Sequence, residues 1–227
     1  MRGVILLLVM TAVLASCHTL PRIESVEPSL QPTALAQCQL PFLTEKYRLI
    51  HAIEATLPDG STSLSIGIII ADPVSKAIKS VVMSPEGFIL LDVEIDENRK
   101  IMINSGVSPL DSKEFAERML EDIRLLFFLP EGELMQSGRS TSKVGDYSYT
   151  CRYKSWDGSV VDLVAGQDGV LEILKYNNKY HLLRMAKAFS LNEKRFPERL
   201  ELRAYGLAPY TLQLKLLEAE SMKPGKQ

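Results

Sequence analysis

The residues that could carry out catalysis do not stand in a catalytic spacing. Ser140 and Lys143 match a Ser-x-x-Lys pattern, but they lie in a run rich in glycine and serine, whereas that chemistry requires a helix start and further partner motifs. The chain has no G-x-S-x-G, H-E-x-x-H, phosphate-loop or C-x-x-C pattern. We therefore expect a protein that is not an enzyme and that uses no cofactor.

Metal-binding residue types are also present without the spacing of a metal site. His51 and His181 each lie in a strand-like run with no second ligand close in sequence. Asp92, Glu94 and Asp96 share one face of a predicted strand, and no glycine-centred loop surrounds them as in a calcium-binding hand. We expect solvated or core side chains here and no metal.

Cysteine 17 stands at the end of an export-like segment. Arg2 is followed by fourteen uncharged residues, from Gly3 to Ser16, which as a helix would span about 21 Å and fall short of the bilayer core. A basic start, a short apolar run and small residues at the end are typical of a secretory signal. Leu14-Ala15-Ser16-Cys17 also resembles the bacterial lipobox, in which the thiol receives a diacylglycerol and cleavage follows on its amino side. The alternative is a secretory signal with an incidental cysteine.

Cys38 and Cys151 form an even pair once Cys17 is lipidated. Exported domains often carry disulfides, so a bridge between these two residues is one interpretation. Two free, buried thiols are the other, because the sequence does not give the distance between the Cα atoms.

Size and charge limit the possible classes of protein. Cleavage before Cys17 leaves 211 residues, enough for one large domain. The net charge of −2 offers no basic excess for nucleic-acid binding. Residues 17–40 contain three prolines and no sustained period, so we interpret them as a lipidated tether.

Short β-branched runs separated by turn residues predict an antiparallel, mainly β fold. In residues 61–72, Leu64, Ile66, Ile68 and Ile70 fall on one face at period two. The predicted strands cover 46–57, 61–72, 76–83, 88–96, 99–105, 146–156, 159–165, 170–177, 180–189, 198–205 and 210–219.

One amphipathic helix is predicted between the fifth and sixth of these strands. Pro109 and Asp111-Ser112 supply its start and cap, and Pro130 ends it. Arg118 is expected to face Glu114 and Asp122 on the polar side. The apolar stripe consists of Phe115, Met119, Leu120, Ile123, Leu126 and Phe127.

About eleven antiparallel strands and one helix predict a half-open β-barrel with the helix as plug or lid. We assign residues 1–16 to the signal peptide, 41–218 to the barrel and 219–227 to a polar tail.

Two stretches, "MSPEGFILLDVEID" (83–96) and "AERMLEDIRLLFFLPEGEL" (116–134), carry a resemblance to the LolA/LolB-like lipoprotein carriers and receptors. The chain is most similar in layout to the uncharacterised outer-membrane lipoproteins found with aryl-polyene-type export systems. The resemblance implies an apolar groove that shelters acyl chains and delivers a lipidated cargo to the outer membrane, with a periplasmic carrier or exporter as partner. His18 stands where an aspartate would retain such a lipoprotein at the inner membrane, which implies a lipid-anchored protein at the outer membrane, facing the periplasm.

The apolar faces allow two functions. In the first, the barrel binds acyl chains and the helix acts as a gate. In the second, the same residues fill a core, and the protein is a structural or assembly lipoprotein that docks a membrane complex. The candidate lipid-binding residues are Ile66, Ile68, Leu90, Met119, Ile123, Leu126 and Phe127.

Overall fold

The described part of the chain folds into thirteen β-strands and one long α-helix. The structure is a computed structural model that describes residues 19–25, 36, 38, 39, 42–140, 148–166, 169–191 and 196–222. The predicted signal peptide and Cys17 lie outside these residues. The elements are β1 (Ile23–Ser25), β2 (Tyr47–Thr56), β3 (Thr62–Ala71), β4 (Ile78–Met83), β5 (Ile89–Ile95), β6 (Ile101–Gly106), α1 (Lys113–Phe127), β7 (Glu133–Ser140), β8 (Tyr149–Lys154), β9 (Val160–Ala165), β10 (Leu171–Tyr176), β11 (Leu182–Leu191), β12 (Pro197–Ala204) and β13 (Tyr210–Ser221).

All strands belong to one antiparallel sheet that does not close. Its order is β1-β7-β8-β9-β10-β11-β12-β13-β2-β3-β4-β5-β6, so β1 and β6 form two separate edges. The fold is therefore mainly β, as predicted, but the barrel of about eleven strands is replaced by an open sheet of thirteen. The two unpredicted strands are β1, which has only three residues, and β7, whose polar sequence lacks a clear alternation.

Strands from both halves of the strand order contribute to one core with the helix, which shows that the sheet curves around α1. Leu91 of β5, Leu49 of β2 and Leu163 of β9 belong to the same buried cluster as Leu120 and Phe127 of α1. We call the side of the sheet that faces α1 the inner face. The long helix thus lies inside the curve of an open sheet.

Helix α1 begins at the predicted cap. The Ser112 hydroxyl accepts a hydrogen bond from the backbone N–H of Phe115 at 3.3 Å. The helix ends at Phe127, three residues before Pro130, and the Phe128 N–H bonds to the Arg124 carbonyl. The cap and the amphipathic stripe therefore set the helix limits that the sequence predicts to within a few residues.

The segment predicted as a tether is partly built into the fold. Its strand β1 pairs with β7, and Cys38 forms a disulfide with Cys151 of β8 across a sequence separation of 113 residues, with 6.3 Å between the Cα atoms. The carbonyl of Pro21 accepts a hydrogen bond from Arg152 at 2.9 Å. Described residues of this segment thus contact the sheet. At the C-terminal end, β13 continues to Ser221, three residues beyond the predicted end of the barrel at 218.

Candidate functional site

The seven candidate lipid-binding residues fall into two groups on opposite faces of the sheet. Ile69 and Leu91 belong to the core cluster on the inner face, whereas their strand neighbours Ile68 and Leu90 point the other way and stay half-buried. Side chains alternate along a strand, so Ile66 lies with Ile68 on the outer face. The structure therefore separates Ile66, Ile68 and Leu90 from the helix residues Met119, Ile123, Leu126 and Phe127.

The four helix candidates do come together on the inner face. Ile123, Leu126 and Phe127 are buried in the core cluster, and half-buried Met119 packs against it. Phe115, the first residue of the predicted stripe, is 39% exposed. In this structure the underside of α1 is thus occupied by the apolar inner face of the sheet.

Small residues on the inner face leave room for neighbouring side chains. Ala71, Ala186 and Ala188 are buried in the core cluster, and Gly67 lies in line with Ile69 and Ala71 along β3. A Cβ atom on Gly67 would lie only 2.6 Å from Cδ1 of Ile53. The side chain of Ile53 therefore fills the space that a larger residue at position 67 would need.

A buried polar cluster attaches the middle of α1 to the sheet. Asp122, which is 5% exposed, accepts a hydrogen bond from Nε of Arg184 on β11 at 2.8 Å. The Tyr210 hydroxyl of β13 donates to the other carboxylate oxygen of Asp122. We call Asp122, Arg184 and Tyr210 the helix latch. Glu121 adds a second, partly exposed ion pair to Lys175 of β10 at 3.6 Å.

Electrostatics in the helix latch are dominated by burial. Burial raises the pKa of Asp122 above its ordinary value, although Arg184 and the Tyr210 hydroxyl both favour the carboxylate. Burial and the neighbouring Asp122 raise the pKa of Tyr210, so its hydroxyl keeps its proton and remains a donor. Removing one partner would leave the others buried and poorly paired.

Sequence reasoning placed Asp122 on the wrong side of the helix. It paired Arg118 with both Glu114 and Asp122. Arg118 does contact Glu114, at 2.8 Å, whereas Asp122 faces the core. A signal was present, because Asp122 lies four residues before Leu126 and seven after Phe115, which puts it at the edge of the apolar stripe. Its partners Arg184 and Tyr210 are distant in sequence and left no signal of this kind.

His51 is a second polar group beneath the helix. It is 1% exposed, its Nδ1 atom has no hydrogen-bond partner, and its ring centroid lies 5.6 Å from that of Phe127. Burial lowers the pKa of His51 to about 4. The histidine is therefore neutral at physiological pH and belongs to the floor of the helix site.

The residues weighed for metal binding or catalysis are dispersed. His181 lies exposed in the turn before β11, far in the sheet from buried His51. Asp96 accepts backbone hydrogen bonds from Asn98 and Lys100, and Glu94 lies 3.9 Å from Lys79. Within the described ranges, no group of three or more histidine, cysteine or acidic residues is arranged to hold a metal ion. Lys143 of the Ser-x-x-Lys match lies outside those ranges.

Comparison with solved structures identifies the fold as LolA-like. A LolA superfamily protein from Nitrosomonas europaea superposes with a TM-score of 0.55 at 12% sequence identity, covering 86% of this chain and 94% of that one. A crystal structure of MucB in complex with MucA(peri) aligns over 86% of this chain and 99% of that one at 10% identity, but its TM-score of 0.23 is too low to indicate a shared fold. At such identities the likeness concerns the fold alone.

Comparisons of the sequence do not assign the chain to a protein family. No protein-family model matches the chain, and no curated protein sequence matches it. In the described part of the chain, no helix is both long enough and apolar enough to cross a membrane.

Proposed function

We propose that the protein is a non-catalytic lipid-binding carrier or receptor that shelters an acyl chain between helix α1 and the inner face of the sheet. One observation carries the proposal. The apolar underside of a single helix rests on the apolar inner face of a sheet with two open edges, and a compact polar latch attaches it. The LolA-like fold supports the same class of function.

Exchange of the helix for a lipid explains how such a site opens. Lifting α1 exposes Leu120, Ile123, Leu126 and Phe127 together with the strand residues beneath them. An acyl chain entering the space buries apolar surface again at about 0.8 kcal/mol per methylene. Because one apolar surface replaces another, the net cost of opening is set largely by the helix latch and by reordering of the helix.

The finer parts of this proposal rest on the sequence. The Leu14-Ala15-Ser16-Cys17 pattern supports a diacylglyceryl anchor, and His18 supports the outer membrane as its location. Delivery of a lipidated cargo and a periplasmic carrier or exporter as donor follow from the family resemblance described above.

A structural lipoprotein is the second candidate function. The observation in its favour is that Leu120, Ile123, Leu126 and Phe127 are buried against the sheet, as in an ordinary filled core. Such a protein would dock a membrane complex through its outer surface and would take up no lipid.

Native mass spectrometry with lipid extraction separates the two functions. The chain is produced from His18 onward, which retains every described element, and is exported to a periplasm. The carrier predicts a stoichiometric co-purifying or added acyl ligand, and its loss in Ile123→Asp if the variant remains folded by circular dichroism. Val74→Asp, at an exposed site in the turn between β3 and β4, is the matched control. A clean apo mass that does not change with added fatty acid would instead support the filled core.

A further inference from the structure

Large apolar side chains are exposed at all five hairpin turns along one end of the sheet. These turns connect β2 to β3, β4 to β5, β8 to β9, β10 to β11 and β12 to β13. Each displays at least one such side chain, and the turn between β12 and β13 also exposes Tyr205. We call the five side chains Leu57, Phe88, Trp156, Tyr180 and Leu207 the apolar rim. Trp156 and Leu207 are fully exposed, at 100% and 108%.

Strand register places the five turns side by side. Val160 at the β8–β9 turn pairs with Tyr176 at the β10–β11 turn. Thr211 at the β12–β13 turn pairs with Thr56 at the β2–β3 turn. Since the five hairpins are consecutive in the sheet order, their tips follow one arc at intervals of roughly 10 Å, two strand spacings.

Of the hairpin turns at the other end of the sheet, the structure describes two in full, and only one of these exposes a large apolar side chain. The turn between β3 and β4 exposes Val74, and Met222 follows β13, but the turn between β5 and β6 is built of Asp96, Glu97, Asn98, Arg99 and Lys100. Exposed apolar residues are common on protein surfaces, but their presence at every turn of one end is unlike scattered exposure.

The chemistry of the apolar rim fits a lipid surface. Trp and Tyr favour the boundary between headgroups and acyl chains, and Leu and Phe insert beyond it. Single side chains held about 10 Å apart on separate turns form no continuous patch for a protein groove, but a fluid bilayer can cover each of them independently. Acidic Asp59 and Asp157 stand in the same turns, so the apolar contact is not assisted by attraction to anionic lipids.

We propose that the apolar rim docks the protein on a phospholipid bilayer, with Leu57, Phe88, Trp156, Tyr180 and Leu207 inserted at the headgroup boundary. This docking orients the open sheet with its five hairpin turns toward the membrane. It does not depend on whether the inner face takes up an acyl chain.

The experiment uses Trp156, the single tryptophan of the chain, as the reporter. The full chain is reconstituted in phosphatidylcholine vesicles with and without brominated acyl chains, which quench a tryptophan that contacts the bilayer. Docking predicts a blue-shifted emission that brominated lipid quenches, with no gain when phosphatidylglycerol is added.

A double substitution and its matched control decide the cause of the quenching. Phe88→Asp combined with Leu207→Asp leaves Trp156 in place, and we expect the emission to return toward that of an exposed tryptophan. Val74→Asp, an exposed apolar site at the opposite end, should leave the quenching unchanged. An unquenched Trp156 in the parent chain would overturn the proposal, and the apolar rim would then be better explained as a site for a protein partner. Equal effects of the double substitution and of Val74→Asp would also overturn it.

Discussion

Acidification should weaken the fold through His51, the neutral histidine beneath Phe127. Its pKa in the folded protein is about 4, against an ordinary value of 6.5. Below pH 6.5 the unfolded chain binds a proton at this residue that the folded chain does not, so the free energy of unfolding falls as the pH falls. The loss is complete below the folded-state pKa and amounts to about 3 kcal/mol.

Urea unfolding of the chain from His18 onward, followed by circular dichroism between pH 7 and pH 4, measures this effect. Leucine has a similar volume and does not titrate, so His51→Leu should remove about 3 kcal/mol of the pH dependence. Asp122 contributes with the opposite sign, because burial raises its pKa above the unfolded value and its cost of ionisation is relieved in acid. For this reason the difference between parent and variant is compared, not the parent curve alone.

His181→Gln provides the control, since this histidine is exposed in the turn before β11. The loss of stability in acid should be smaller in His51→Leu than in His181→Gln. Equal losses of stability in the parent and in His51→Leu between pH 6.5 and pH 4 would refute the role given to His51.

Two further predictions concern the described part of the N-terminal segment, and one concerns the helix cap. Reduction of the Cys38–Cys151 disulfide, which closes a loop of 113 residues, should cost about 2–5 kcal/mol in urea unfolding; an unchanged midpoint with reductant would contradict it. Arg152→Met should cost about 3–5 kcal/mol, because it leaves Asp162, 1% exposed, without its partner; adding Asp162→Leu should restore most of the loss, and failure to do so would show that the ion pair is not the cause. Ser112→Ala should cost about 1 kcal/mol in the same assay, and no change would mean that the hydroxyl does not cap the helix.

The regular strands and the helix were predictable because each carries a local signal. Alternation and turn residues located eleven of the thirteen strands, and the Ser112 cap with the apolar stripe located α1. Strand β7 escaped because its sequence "ELMQSGRS" is polar. The reason for glycine at position 138 also becomes clear only in the structure, because a Cβ atom there would clash with the carbonyl oxygen of Glu24 in β1.

The candidate site was harder to predict, because the face of a strand and the partners of a buried charge depend on tertiary packing. In "SLSIGIIIA" both alternating sets are apolar at one end, and the sequence favoured the set of Ile66 and Ile68. The structure instead turns Gly67, Ile69 and Ala71 toward the inner face, where Ile69 and Ala71 join the core cluster. The helix latch joins Asp122 to residues 62 and 88 positions away, a distance at which no local pattern remains.

The most direct test of the proposed lid is the binding of a fluorescent fatty acid to the chain from His18 onward, with and without Tyr210→Phe. This substitution keeps the aromatic ring and removes the hydroxyl that bonds to Asp122. A hydrogen bond to a charged group contributes about 1.5–3 kcal/mol, so loosening the helix latch should tighten saturable binding by about tenfold or more. Tyr205→Phe, at a tyrosine 40% exposed in the turn before β13, should bind as the parent does. Absence of saturable binding in both the parent and Tyr210→Phe would contradict the account of α1 as a lid over an acyl-binding surface.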